Sequence, residues 1–135
     1  MILQPEGWAQ PKGYSNGMAA EGRLVVTAGQ IGWNPETCRF ETDDFVAQTA
    51  QALKNVVAVL RAAGAEPRDL VRLTWYVTDK AAYLAAQREI GRAYREVIGK
   101  HFPTMAVVVV AGLLEDRAKV EIEGTAVVNF TTPCP

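Results

Sequence analysis

The last third of the chain contains an apolar run, residues 105–114, that carries no charge. Its centre is β-branched, with valine at each position from Val107 to Val110. A strand with one solvated face would alternate apolar and polar residues, so the unbroken run predicts a strand covered on both faces. Pro103 marks the start of this strand.

A second strand is predicted over residues 119–128, and its pattern is different. Its even-numbered positions from Val120 to Ala126 are apolar or small, and polar side chains alternate with them. Successive residues of a strand face opposite sides, so Glu121 and Glu123 share one face. We expect this strand to lie beside the buried one. Buried carboxylates are costly, which favours contact of this pair with water, another subunit or a ligand.

Apolar residues at helical spacing predict two helices. Asp43 or Asp44 is expected to cap the first helix, which ends at Gly64. Asp79 is expected to cap the second, which ends near Gly99.

Two further strands are predicted, over residues 23–28 and over residues 71–77, the latter with one polar face. The order of elements is then β-α-β-α-β-β. It indicates an α+β sandwich in which two helices cover one face of a mixed sheet. At this length we expect a single domain, residues 1–135.

Such a sheet leaves its second face bare. The apolar residues from Val107 to Val110 point to both faces, so the bare face also needs a cover. No segment of the chain remains to supply it, and another subunit is the simplest partner.

Composition narrows the function. Lys plus Arg (14) nearly balance Asp plus Glu (15), so no general attraction to nucleic acid or to an anionic membrane is expected. Cys38 and Cys134 lack a second thiol at metal spacing and the chain has one histidine, so we expect no zinc site. We also expect no other metal and no cofactor. Neither a signal peptide nor a membrane-spanning run is visible, and we expect a cytoplasmic protein.

A set of short motifs resembles the RidA/YjgF/YER057c/UK114 family in order and spacing. The motifs are Gly13–Ser15, Ala28–Gly32, Gln48–Asn55, Ala63–Gly64, Tyr76–Asp79, Phe102–Pro103 and Val120–Ala126. The resemblance implies a chorismate-mutase-like fold and a homotrimer with ligand clefts between subunits. Members of the family hydrolyse reactive enamines and imines to ketoacids and ammonia. Others carry the older label of endoribonuclease or translation inhibitor.

The resemblance carries over only in part. Family deaminases show Phe-Pro-Ala-Arg-Ser, where the arginine binds the substrate carboxylate by two hydrogen bonds. Met105 stands at the position of that arginine and has neither charge nor donor. We therefore expect a substrate other than a small 2-amino-acid derivative.

Other family positions match this chain to different degrees. Glu121 corresponds to the glutamate that orients the attacking water, and Tyr14 to the pocket tyrosine. Ala28 replaces a serine of the family. The asparagine of the second helix falls at Gln87 or Arg88, both of which we treat as substrate-binding candidates.

Several roles stay open at this point. Glu121 is favoured as a cleft residue over a salt-bridged or solvated one, whereas for Glu123 the preference is reversed. Met105 is either a pocket wall or strand core. His101 is more simply a solvated loop residue than a proton shuttle. Arg117 either replaces the missing cation or, as we favour, is a solvated turn residue.

Two functions follow from these candidates. In the first, Glu121 holds a water that attacks an enamine or imine, and the backbone N–H groups near Gly29 and Gln30 polarise the substrate. In the second, a non-catalytic homotrimer binds a small apolar or aromatic molecule. An RNA-cleaving or translation-inhibiting protein ranks far below both, because the chain lacks basic residues interleaved with aromatic ones.

Overall fold

The computed structural model describes residues 1–130, which form a mixed β-sheet and three α-helices. The predicted α+β class is confirmed. Cys134 lies outside the described residues. In chain order the elements are β1 (Ile2–Leu3), β2 (Gly17–Met18), β3 (Arg23–Val26), β4 (Gln30–Ile31), α1 (Phe45–Ala62), β5 (Leu70–Val77), α2 (Lys80–Ala85), α3 (Gln87–Val97), β6 (Thr104–Val109) and β7 (Val120–Val128).

The main sheet has the strand order β3-β7-β5-β6, and β4 also pairs with β7. β5 and β6 are parallel, whereas β7 is antiparallel to its neighbours. The prediction that the glutamate strand lies beside the apolar strand is therefore wrong, since β5 separates β7 from β6. A parallel pair needs a long crossover, and α2 and α3 supply it by carrying the chain from β5 to the edge position of β6.

Helix α1 begins and ends as predicted. Of the two candidate caps, Asp44 is used, and its carboxylate accepts a hydrogen bond from the Ala47 N–H at 2.9 Å. Gly64 follows the helix in the left-handed conformation, with φ of 74°. The helix buries one face against β7, β4 and α3.

The second predicted helix is two helices. Asp79 caps α2 as expected, accepting from the Ala82 N–H at 3.0 Å. Ala86, with φ of −105° and ψ of 12°, interrupts the helix and starts α3. The break lets α3 turn Ile90 and Tyr94 into the core, whereas α2 buries no residue. Periodicity alone does not detect it, because alanine is a strong helix former.

The apolar run is only partly strand and only partly covered. β6 ends at Val109, and Val107, Val108 and Val109 are 38%, 42% and 50% exposed. The prediction of a strand covered on both faces is wrong for the single chain, because β6 lies at the edge of the sheet. Cover by another subunit stays a prediction.

Two buried amides on α1 fix the segments that carry the predicted site. The Gln48 side chain donates to the Arg117 carbonyl at 3.0 Å and accepts from the Lys119 N–H at 2.9 Å, which anchors the start of β7. The Asn55 side chain donates to the Ile31 carbonyl at 3.1 Å, which anchors β4. Because their hydrogen bonds are made, burying these amides is tolerated.

Candidate active site

The face of the sheet away from the helices carries the two predicted carboxylates. Along β7 buried residues alternate with half-buried ones, and Glu121 and Glu123 belong to the second set. The shared face predicted for them is confirmed. The alternation is that of a strand with one side in the core and one side open.

Glu123 has a partner within the chain. The hydroxyl of Tyr76 on β5 donates to its Oε1 at 2.9 Å. This hydrogen bond, with burial, raises the pKa of the Tyr76 phenol above its ordinary value. Tyr76 therefore stays protonated near neutral pH, and Glu123 is held as its acceptor.

Glu121 differs from Glu123 in this respect. No side chain among residues 1–130 forms a hydrogen bond or an ion pair with its carboxylate. The backbone approaches closely at Gly29, where a Cβ would lie 2.7 Å from Cδ and 3.0 Å from Oε1 of Glu121. Any larger residue at this position would require the Glu121 side chain to shift. The pairing of Ile31 with Glu121 and of Gln30 with Ile122 sets this contact.

A second candidate region is a cavity of about 550 Å³ on the helix side of the sheet. Its size is that of a small-molecule site. Its walls come from the N-terminal segment, β5, the two short helices, and the start and middle of β6. The lining residues are Lys12, Gly13, Tyr14, Trp75, Tyr83, Gln87, Ile90, Gly91, Tyr94, Arg95, Phe102, Met105 and Val107.

The cavity brings together three of the residues proposed from the sequence: Tyr14, Gln87 and Met105. Tyr14 is 43% exposed, at the mouth. Met105 packs against the core from the cavity wall, so both of its proposed roles hold. Of the two alternatives on the helix, Gln87 lines the cavity and Arg88 does not.

Two hydrogen bonds join the N-terminal segment of the cavity wall to the segment just before β6. The Ser15 hydroxyl donates to the Phe102 carbonyl at 2.6 Å, and the Ser15 N–H donates to the Pro103 carbonyl at 3.1 Å. These bonds tie the segment that bears Tyr14 to the start of β6. Ser15 is buried, so the attachment is protected from water.

His101 has a structural position rather than a cleft position. Its Nε2 lies 2.7 Å from the Leu70 carbonyl, and since a carbonyl only accepts, Nε2 carries the proton. The Tyr94 hydroxyl donates to the His101 carbonyl at 2.6 Å. The ring does not line the cavity, so the proton-shuttle role is not supported. Its hydrogen bond to the Leu70 carbonyl does not support the solvated role either.

Two phenols of the cavity, Tyr83 and Tyr94, are neutral donors. Burial raises the pKa of Tyr83, and a hydrogen bond with Gln87 opposes the rise. Burial alone raises the pKa of Tyr94 far above its ordinary value. Neither of these two groups acts as a base near neutral pH.

The two regions lie on opposite sides of one sheet. Met105 pairs with Leu73, which faces the core beneath the helices. Glu121 pairs with Tyr76, which faces the open side. We call Glu121 on the open face, together with the backbone of Gly29 and Gln30, the carboxylate half-site, and the helix-side group the Met105 cavity. One copy of the chain does not bring them together.

Arg117 does not supply a cation to the Met105 cavity. Its guanidinium pairs with Asp43 at 2.9 Å and lies 5.5 Å from the ring centre of Phe40. The favoured view of an exposed turn residue is supported. The structure instead places Lys12 and Arg95 at the cavity, and neither was a sequence candidate. The sequence carries no signal that singles out Arg95, because an exposed arginine on a helix is ordinary and Arg92 on α3 is exposed as well.

A family model described as Endoribonuclease L-PSP matches residues 8–128. The chain belongs to this family. A RutC family protein of Haemophilus influenzae is 40% identical over 106 residues, which cover 78% of this chain and 80% of the Haemophilus protein. The 2-iminobutanoate/2-iminopropanoate deaminase of Escherichia coli K12 is 36% identical over 109 residues, with 78% and 80% covered.

Solved structures agree with this assignment. YyfB of Yersinia pestis, a protein of unknown function in the conserved Rid family, matches with a TM-score of 0.83 and 32% identity, covering 95% of this chain and 98% of its own. The RidA resemblance of the motifs is thereby confirmed. Within residues 1–130 no helix of this L-PSP family member meets the length and hydropathy of a membrane span, and no cluster of acidic, His and Cys side chains suits a metal ion.

Proposed function

We propose that this protein is a hydrolytic deaminase that acts on a reactive enamine or imine, with Glu121 as the residue that positions water. One observation carries the proposal: of two carboxylates on the same strand face, Glu123 is bound by Tyr76, whereas Glu121 is bound by no side chain of residues 1–130 and lies against Gly29. A catalytic base needs to be free to accept a proton.

The site is proposed to be completed by assembly into a homotrimer. The carboxylate half-site and the Met105 cavity lie on opposite sides of the sheet, so a cleft containing both requires two copies of the chain. The open face also exposes apolar residues, with Leu24 66% and Val26 62% exposed on β3, and Val108 on β6. Burying them against a second copy stabilises the assembly through the hydrophobic effect.

The proposed reaction follows from these groups. Glu121 accepts a proton from water while the water oxygen bonds to the carbon of the protonated C=N group, which gives a neutral carbinolamine. Glu121 then returns this proton to the carbinolamine nitrogen. As the C–N bond breaks, the carboxylate takes up the hydroxyl proton, and ammonia and a carbonyl compound leave. The backbone N–H groups of Gly29 and Gln30 are proposed to orient the substrate beside the carboxylate.

The substrate is proposed to differ from that of the Escherichia coli relative, which is named for 2-iminobutanoate and 2-iminopropanoate. Those compounds carry a carboxylate next to the reactive carbon. Met105 offers no charge to such a group. The aromatic walls of the Met105 cavity favour a larger apolar body.

The test combines turnover with assembly. Purified protein is assayed on a panel of simple imines, charged and uncharged, small and aromatic, with release of ammonia as the readout. Light scattering at micromolar concentration gives the mass. We expect a trimer that hydrolyses aromatic imines faster than 2-iminopropanoate. A stable monomer would contradict the shared cleft and with it both candidate functions. A trimer that binds aromatic compounds without hydrolysing any imine would contradict the hydrolase and favour the binding protein.

A further inference from the structure

The rim of the Met105 cavity carries two cations and no acid. Lys12 comes from the N-terminal segment and Arg95 from α3, and both are exposed. No aspartate or glutamate lines the cavity. Within residues 1–130 the Arg95 side chain forms neither an ion pair nor a hydrogen bond. The rim is therefore a region of unpaired positive charge.

Arg95 is directed along α3 toward the cavity by its position on the helix. Its Nη1 lies 3.4 Å from where a Cβ at Gly91 would be, one turn earlier. Helical side chains lean toward the N-terminus over residues three and four positions back. The absence of a side chain at Gly91 leaves the guanidinium space there, in line with Gln87, which lines the same cavity.

The floor beneath these cations is apolar and aromatic. Trp75 and Tyr94 are buried, their rings stack with centroids 6.4 Å apart, and Tyr94 stacks on Phe102 at 5.7 Å. Met105 continues this surface on β6. A molecule that fills the cavity thus contacts an uncharged surface at one end and cations at the other.

We propose that Arg95 binds a carboxylate located at the end of the substrate remote from the C=N group, with an apolar or aromatic body between the two. Arg95 and Lys12, which line the same cavity, select an acidic substrate. Met105, on the strand that also lines the cavity, offers no charge. Guanidinium matches a carboxylate through two parallel hydrogen bonds. This inference deepens the proposed function and rests on it for the reacting group.

The test is a binding measurement that needs no turnover. Trp8→Phe and Trp33→Phe leave Trp75, in the cavity wall, as the fluorescence reporter. The probes are 3-phenylpropanoate and its uncharged amide, 3-phenylpropanamide, which share one body. We expect the carboxylate to bind about ten-fold more tightly than the amide. Arg95→Met should abolish this preference, and Arg95→Lys should retain part of it.

A matched control is available on the same helix. Arg92 is also exposed on α3 but does not line the cavity, so Arg92→Met should keep the full preference for the carboxylate. Equal affinity for the two probes in the unmutated background, or a preference that survives Arg95→Met, would overturn the proposal. The proposal would also be overturned if Arg95→Met lost the trimer mass but kept the preference for the carboxylate probe. Arg95 would then contribute to assembly of the trimer and not to binding.

Failure of this inference is distinguishable from failure of the hydrolase. If no imine is hydrolysed but the Arg95-dependent preference persists, the carboxylate site stands and the hydrolase is wrong. If imines are hydrolysed and Arg95→Met hydrolyses charged and uncharged imines in the unmutated ratio, the hydrolase stands and the carboxylate site is wrong.

Discussion

On the open side of the sheet the candidate residues occupy neighbouring positions in a regular ladder, whereas on the helix side the cavity is assembled from segments far apart in the chain. Glu121 and Glu123 owe their shared face to the period of one strand. Tyr14 and Met105 line the same cavity, and the bonds from Ser15 to Phe102 and Pro103 hold their two segments together. The carboxylate half-site is thus fixed by local geometry, and the cavity by tertiary contacts.

The comparison is sharpest within the open face itself. Two glutamates on one strand have the same side-chain chemistry and similar exposure. Their difference lies in their neighbours, since Tyr76 reaches Glu123 while the space beside Glu121 is bounded by Gly29. The family motif already favoured Glu121 over Glu123 as the cleft residue, and the hydrogen bond from Tyr76 to Glu123 adds an independent structural difference between them.

The largest expected effect comes from removing the free carboxylate. Glu121→Gln keeps the size of the side chain but removes its basicity, so hydrolysis of the best imine should fall at least about 100-fold while folding is retained. The measurement is kcat/KM with circular dichroism as the check on folding.

Glu123→Gln is the matched control. Glu123 is held by Tyr76, and the amide oxygen can still accept that hydrogen bond. We expect a change several-fold at most. Equal losses in the two variants would mean that the contrast in hydrogen bonding does not report a contrast in function.

The second effect tests the backbone beneath the carboxylate. Gly29→Ala would place a Cβ 2.7 Å from Cδ of Glu121 and force the carboxylate to move. A misplacement of about 1 Å lowers rates by up to about 100-fold, so we expect a fall between about ten-fold and 100-fold in kcat/KM. Gly112→Ala, where a Cβ meets nothing within 4 Å, should leave activity unchanged. Full activity in Gly29→Ala would show that the position of Glu121 is not critical.

Much of the fold was predictable because it depends on local sequence patterns. The cap at Asp44, the left-handed Gly64 and the alternation on β7 each depend on a few adjacent residues. Strand order is not local: β5 inserts between β6 and β7, and no pattern along the chain states that pairing. The break at Ala86 is equally hidden, since it follows from how α3 packs.

The site divides in the same way. Glu121 and Met105 were found from motifs, but their separation onto opposite sides depends on the register of β6 and β7 against β5. The choice of Gln87 over Arg88 depends on the rotation of α3 about its axis. Arg95 was missed because an exposed helical arginine is ordinary in a sequence, and only the cavity distinguishes it.

The smallest expected effect concerns the cavity side of the comparison. Activity on 2-aminoacrylate or 2-aminocrotonate, whose carboxylate adjoins the reactive carbon, should be feeble in the unmutated protein. Met105→Arg should raise it by about ten-fold, because a charge-assisted pair contributes about 1.5–3 kcal/mol and the lower end applies to a partly exposed wall. Met105→Leu matches the apolar character without charge and should give no gain. The gain is expected to stay incomplete, since Ala28 replaces the family serine. The unmutated protein could instead already match the rates of an arginine-bearing relative. That result would show that a cation such as Arg95 binds the carboxylate adjacent to the reactive carbon, and the proposal of a remote carboxylate would be wrong.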